Sequence, residues 1–202
     1  GVRSFAKYIN ARHYAEGSFI PVQTGAGPLE LEILEDGRVR VDMGKARQTR
    51  GEIGMVGPAD QMDEDRPFEM PDGTILPGTA VSMGNPHLVL FVEDANSIPL
   101  EDWGPVLERH PDFPNRVNVH FATVERPTSI VQRTWERGAG ATLACGTGAC
   151  AVGVAAVLTG RGARQTSIRL PGGTRDIRYE PEGTVFMTGP AEYSFEGEWP
   201  AT

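Results

Sequence analysis

Cysteine is the residue type in this chain with the most distinctive chemistry, and one of its two cysteines stands at a telling junction. In Thr142-Leu143-Ala144-Cys145-Gly146-Thr147-Gly148-Ala149-Cys150 a strand-like run passes through a glycine-rich turn into an apolar, helix-forming segment. A sulfur there faces the first-turn amides, which have no intrahelical acceptor and carry the positive end of the helix dipole. Both favour thiolate, so Cys145 is expected to titrate below the free-cysteine value of about 8.5. Gly146 and Gly148 would let the backbone approach an anion such as a carboxylate. A buried cysteine beside an ordinary glycine turn is the competing reading. Cys150, five residues on, would lie on another side of the helix as an inert packing residue, without a disulfide to Cys145.

Two further motifs put polar groups at strand ends. Gly84-Asn85-Pro86-His87 precedes the apolar run at 88–92 and would present an amide and an imidazole at a strand edge. Trp135-Glu136-Arg137-Gly138-Ala139-Gly140 would place a carboxylate and a guanidinium where a strand stops. Arg137 could hold a substrate carboxylate in a forked pair, or form a surface ion pair. His87 gains chemical meaning only if it meets the Cys145 turn in space. His13, His110 and His120 have no supporting context and read as structural or solvated.

The elements needed to position these groups follow from apolar spacing. Val2, Phe5, Ala6 and Ile9 predict an amphipathic helix over 2–12, with no cap residue ahead of it, which suggests a truncated start. Alternation around Glu35-Asp36-Gly37 predicts a hairpin over 28–43. Residues 44–80 read as irregular strands and loops and 94–114 as turn-rich, with strands at 88–92, 117–124 and 129–135. The small apolar run at 149–158 predicts a helix surrounded by protein. After it, 167–170, 174–179, 184–187 and 191–195 read as an antiparallel meander. Strands in runs and few helices give the α+β class.

Composition narrows the partners. With 39% apolar and 23% charged residues in 202, the chain reads as globular. A formal net charge of −8 without basic clusters argues against nucleic acid. No apolar run approaches the roughly 20 residues of a membrane span, and no secretory signal opens the chain. Two cysteines are too few for a disulfide framework, so a reducing, cytoplasmic setting is expected.

Taken together, Gly84-Asn85-Pro86-His87, Asn118 in Arg116-Val117-Asn118-Val119, Glu136 to Gly140, and Ala144 to Ala149 resemble the diaminopimelate epimerase family in order and spacing. The resemblance implies a two-lobed α+β fold, each lobe a mostly antiparallel sheet wrapped round a central helix, with the first lobe incomplete here. Residues 1–43 would be its remnant, 44–188 the second lobe, and 189–202 a last strand returning to the first. It implies cofactor-independent interconversion of LL- and meso-2,6-diaminopimelate by two cysteines, for lysine and peptidoglycan supply. Cys145 would be one acid/base, with His87 and Glu136 beside the reacting centre and counted with it as catalytic. Gly146 and Thr147 would contact the α-carboxylate. Asn85, Asn118, Glu136 and Arg137 would bind the rest of the substrate, and Phe195 would lie at a homodimer contact.

The family's other cysteine would lie just upstream of Gly1, so the 202 residues alone are expected to be an inactive fragment. The setting would be the cytoplasm, or a plastid stroma in a plant, with no metal, nucleic acid or membrane involved. A sister amino-acid racemase would be expected to alter Asn85, Asn118 or Arg137. A pyridoxal racemase would need Lys7 or Lys45 as its Schiff base. A Cys145–His87 hydrolase and a non-catalytic chain remain as rivals.

Overall fold

The computed structural model describes residues 1–14, 17–24 and 27–198. Its elements, in chain order, are α1 (Val2–Ala11), β1 (Phe19–Thr24), β2 (Gly27–Ile33), β3 (Val39–Lys45), α2 (Arg50–Ile53), β4 (Arg66–Glu69), β5 (Ile75–Ser82), β6 (Pro86–Phe91), α3 (Leu100–Glu108), β7 (Asn118–Arg126), β8 (Ser129–Glu136), β9 (Gly140–Thr142), α4 (Gly146–Leu158), β10 (Gln165–Leu170), β11 (Gly173–Tyr179) and β12 (Thr184–Gly189). Strands dominate and helices are few, so the fold is α+β as expected. The chain divides into two compact units, Gly1–Val41 with Thr188–Thr202, and Asp42–Met187.

In the first unit the predicted helix forms without a side-chain cap, and Ala6 is its buried residue. The predicted hairpin forms between β2 and β3, pairing Leu31 with Val41 and Ile33 with Val39. Its turn needs Gly37, whose φ of 77° lies in the left-handed region that a Cβ disfavours. β1, which sequence reading did not anticipate, pairs antiparallel with β2. The strand expected at 191–195 is absent, and 191–198 carries neither strand nor helix. Pro190 has no N–H to give a ladder, and the carbonyl of Ala191 accepts from Lys7 Nζ instead.

In the second unit the sheet runs β4-β5-β6-β7-β8-β10-β11-β12, with β9 added to β8. β6–β7 and β8–β10 are parallel pairs, and parallel neighbours need a crossover. The first crossover carries α3, in the stretch expected to be turns, and the second carries α4. Strand alternation then sorts side chains onto two faces. Leu88, Leu90, Val119 and Phe121 join Leu100, Trp103 and Leu107 of α3 in one apolar cluster. His87, Asn118, His120, Gln132 and Thr134 alternate with these residues along β6, β7 and β8 and so occupy the opposite face. That face meets α4, which touches β5, β6, β7, β8, β10 and β11. From Gly148 to Ala156 every residue of α4 is buried, as its all-round apolar sequence requires. At Gly153 an added Cβ would lie 2.8 Å from Ile177 Cγ2, so the small residues set how closely helix and sheet approach.

Candidate active site

Cys145 is the N-cap of α4, in extended backbone conformation (φ −131°, ψ 107°), and no side chain caps the helix through a hydrogen bond. Its carbonyl takes the first helical bond, from Ala149 N at 2.9 Å. The amides of Gly146, Thr147 and Gly148 have no intrahelical acceptor. That of Gly148 faces the sulfur, and Thr147 Oγ1 lies 3.7 Å from Sγ. At Gly148 a Cβ would fall 2.3 Å from His120 Cε1 and 3.0 Å from Cys145 Sγ, so only glycine lets imidazole and sulfur share this corner.

The thiol does not titrate below the free value. Burial, then the negative charge of Glu136, pushes the Cys145 thiol up to about 11, against the Gly148 amide and the Thr147 hydroxyl, which favour the thiolate. The expectation from the helix mouth weighed the amides and not the desolvation: Cys145 is only 5% exposed.

Around the sulfur the structure gathers three turns. Glu136 ends β8, opposite Gly140 of β9, and its Oε1 accepts from Thr142 Oγ1 at 2.6 Å. Asn118 joins two of the turns: its Nδ2 donates to Pro86 O at 2.9 Å and its Oδ1 accepts from Arg137 N at 3.0 Å. The guanidinium of Arg137 donates to Asn115 O at 3.0 Å and stays exposed. Asn85 Nδ2 reaches Thr147 Oγ1 at 3.5 Å, and Asn85 Oδ1 lies 3.0 Å from His87 Nε2. His87 is fully buried, and its other nitrogen meets His120 Nε2 at 2.8 Å. Both its nitrogens are therefore engaged, and neither serves Cys145 in the manner of a hydrolase pair.

Asn85, His87, Asn118, Glu136, Arg137, Cys145, Gly146 and Thr147 thus surround one corner of the second unit. Phe195 belongs to the first unit, where it is 87% exposed. Two residues that sequence reading passed over also belong to the corner. His120 is fully buried, with its Nδ1 3.0 Å from both Thr134 Oγ1 and Gln132 Nε2. The period of two places it on the same face of β7 as Asn118, which was the available signal. Burial pushes its pKa to about 3, and burial together with the His120 and Arg137 charges pushes that of His87 well below the ordinary value, so both rings are neutral at pH 7.

Glu108, on the buried side of α3, accepts from Trp135 Nε1 at 2.8 Å, Gly138 N at 3.1 Å and Arg116 at 3.2 Å. It fixes the turn that carries Glu136 and Arg137. Burial raises its pKa, but these hydrogen bonds outweigh that and hold the carboxyl below the usual range.

Among the described residues, no three His, Cys, Asp or Glu side chains cluster as metal ligands. A cleft of about 590 Å3 opens between the start of α3 and strands β8–β10, and of the residues around the sulfur it reaches Thr142 and Gln132.

The same segments carry the chain's similarity to other proteins. A family model for diaminopimelate epimerase matches residues 79–194, which include all three turns and α4. Diaminopimelate epimerase of Synechococcus elongatus is 46% identical over 98% of this chain and 70% of its own length. That of Pelotomaculum thermopropionicum is 48% identical over 98% of this chain and 72% of its own length. The chain therefore spans about 70% of these relatives. A hydroxyproline epimerase structure from Agrobacterium vitis shares the fold at TM-score 0.65 and 15% identity, covering 92% of this chain and 61% of that one. A phenazine biosynthesis protein of the PhzF family from Bacillus anthracis does so at TM-score 0.58 and 14% identity, over 91% and 69%. With its glycine-bounded thiol, its amide- and carboxylate-bearing turns and close relatives over nearly its whole length, the chain belongs to the diaminopimelate epimerase family.

Proposed function

We propose that this chain carries one half of the proton-transfer machinery that inverts the α-carbon of 2,6-diaminopimelate, with no cofactor, in the supply of lysine and peptidoglycan precursors. The observation that carries the reading is the buried Cys145 thiol at the mouth of α4, with the Gly148 amide and the Thr147 hydroxyl on its sulfur and Glu136 beside it. In this reading the amides of Gly146 and Thr147 receive the substrate α-carboxylate, where charge builds up as the α-proton leaves. The substrate's ammonium group lowers the sulfur's pKa by its positive charge, so that one group serves as base and, in reverse, as acid. Asn85, Asn118 and Arg137 hold the distal amino-acid end. His87 and Glu136 support the reacting centre.

Inversion requires a second group on the opposite face of the α-carbon. Cys150 is unsuited, being fully buried within α4. On the resemblance, a second thiol serves that face, and the 202 residues alone are expected not to turn over. Phe195 is assigned to a homodimer contact, which sedimentation of Phe195→Ala at several concentrations tests by loss of the dimer.

The decisive experiment uses the full-length protein with both thiols present. Incubation with the LL isomer in D2O is expected to give meso product with deuterium at the inverted carbon. Cys145→Ser should lower the rate by about a hundredfold or more, the ordinary scale of a lost acid/base. Full activity in that variant would remove the assignment.

A further inference from the structure

We infer that His120 is a positioning residue for the reacting thiol, acting through a one-way chain of hydrogen bonds that runs from Gln132 and Thr134 through His120, His87 and Asn85 to the hydroxyl of Thr147. The inference rests on the reading of Cys145 as an acid/base. Its direction comes from the two amides. At the far end, Gln132 Nε2 donates to His120 Nδ1 at 3.0 Å and to Thr134 Oγ1 at 2.9 Å. His120 Nδ1 is then an acceptor, so in the neutral ring the proton sits on Nε2 and is donated to His87 Nδ1 at 2.8 Å. His87 in turn carries its proton on Nε2 and donates to Asn85 Oδ1 at 3.0 Å.

That leaves Asn85 Nδ2 toward Thr147 Oγ1 at 3.5 Å, which takes one lone pair of the hydroxyl and keeps its proton available to a thiolate at Cys145 Sγ, 3.7 Å away. The direction rests on Gln132 presenting Nε2 to His120 and Thr134, an arrangement that leaves its Oε1 buried without a hydrogen-bond partner, and one reversed link would reverse every link between. His87, His120, Gln132 and Thr134 are each at most 1% exposed, so water does not compete for their hydrogen bonds. The chain presents a donor to the sulfur and thereby favours the thiolate that must form during reaction. The other titratable or charged groups around this corner are Glu136 and Arg137 at the end of β8 and Arg175 on the buried face of β11.

The test reads thiol chemistry rather than turnover. The rate of iodoacetamide alkylation is followed against pH on the folded chain, with fragment-ion mass spectra separating Cys145 from Cys150. His120→Phe is expected to raise the Cys145 midpoint by about half a unit to one unit, and Thr147→Val by at least as much. His120→Gln, whose amide can donate to His87 and accept from Thr134, is expected to return the midpoint to the parent value. An unchanged midpoint in His120→Phe would overturn the inference, as would an equal shift in His120→Gln, which would reduce the residue to a space-filler. If His120→Phe does not fold, long-range 1H–15N spectra of the parent chain decide. Both rings protonated at Nε2 supports the chain, and His87 protonated at Nδ1 overturns it. Because no substrate enters these measurements, a failure of the epimerase assay and a failure here are separate results.

Discussion

At Cys145 two influences of opposite sign meet, and burial prevails over the helix mouth. With the thiol pushed up to about 11, only about one molecule in ten thousand carries thiolate at pH 7, so alkylation of the free protein should be slow there. Glu136→Gln removes the charge that adds to burial and should speed alkylation at pH 8 severalfold; a rate no higher than the parent's would contradict the assignment of Glu136 as a neighbour of the sulfur. The position of Cys145 was legible in the sequence because a glycine-flanked strand-to-helix junction is a local pattern. Its titration was not, since desolvation depends on how six strands close around α4. The period of two gave the face of His120 but not its role, for a related reason. A lone histidine in a strand says nothing until its neighbour across the sheet is known, and here that neighbour is a second histidine thirty-three residues earlier in the chain.

Among the elements, α3 shows what breaker residues conceal. Gly104-Pro105 reads as a turn, yet both lie inside the helix. Gly104 is there because a Cβ would sit 2.5 Å from Trp135 Cγ and 2.6 Å from its Cδ2. Gly104→Ala and Gly148→Ala should each destabilise the protein by about 1–3 kcal/mol through overpacking, measured by urea unfolding. Glu108→Ala should cost about as much, because Trp135 Nε1 and Gly138 N lose their acceptor. It should also loosen the turn at 137–139, seen as faster amide exchange of Gly138. The hairpin of β2 and β3, α4 and most of the strands were readable from period and turn residues. β1 and α3 were not, because a short edge strand or an interrupted helix takes its stability from neighbours rather than from its own pattern.

For the molecule as a whole, the buried titratable groups set a window of stability. His87 and His120 are held neutral, with folded pKa values below the unfolded value of about 6.5. The unfolded chain therefore binds more protons in acid. Their contribution is present above about pH 6.5 and declines as pH falls from there, that of His120 toward about 3. Cys145 acts at the other end. Its folded pKa lies above the unfolded one, so the unfolded chain loses its proton first and stability declines between about pH 9 and about 11. Denaturant midpoints across pH should fall on both sides. The acid limb should be shallower in His120→Gln, and the alkaline limb shallower in Cys145→Ala.

The enclosure of α4 also bears on how this scaffold can change. Nine consecutive helix residues fitted against strands leave almost no position where a new side chain could be accommodated. Any attempt to retarget the catalyst by directed evolution should therefore leave 148–156 fixed and randomise the loops at 84–86 and 137–139, where novelty does not have to be bought with collapse of the interior.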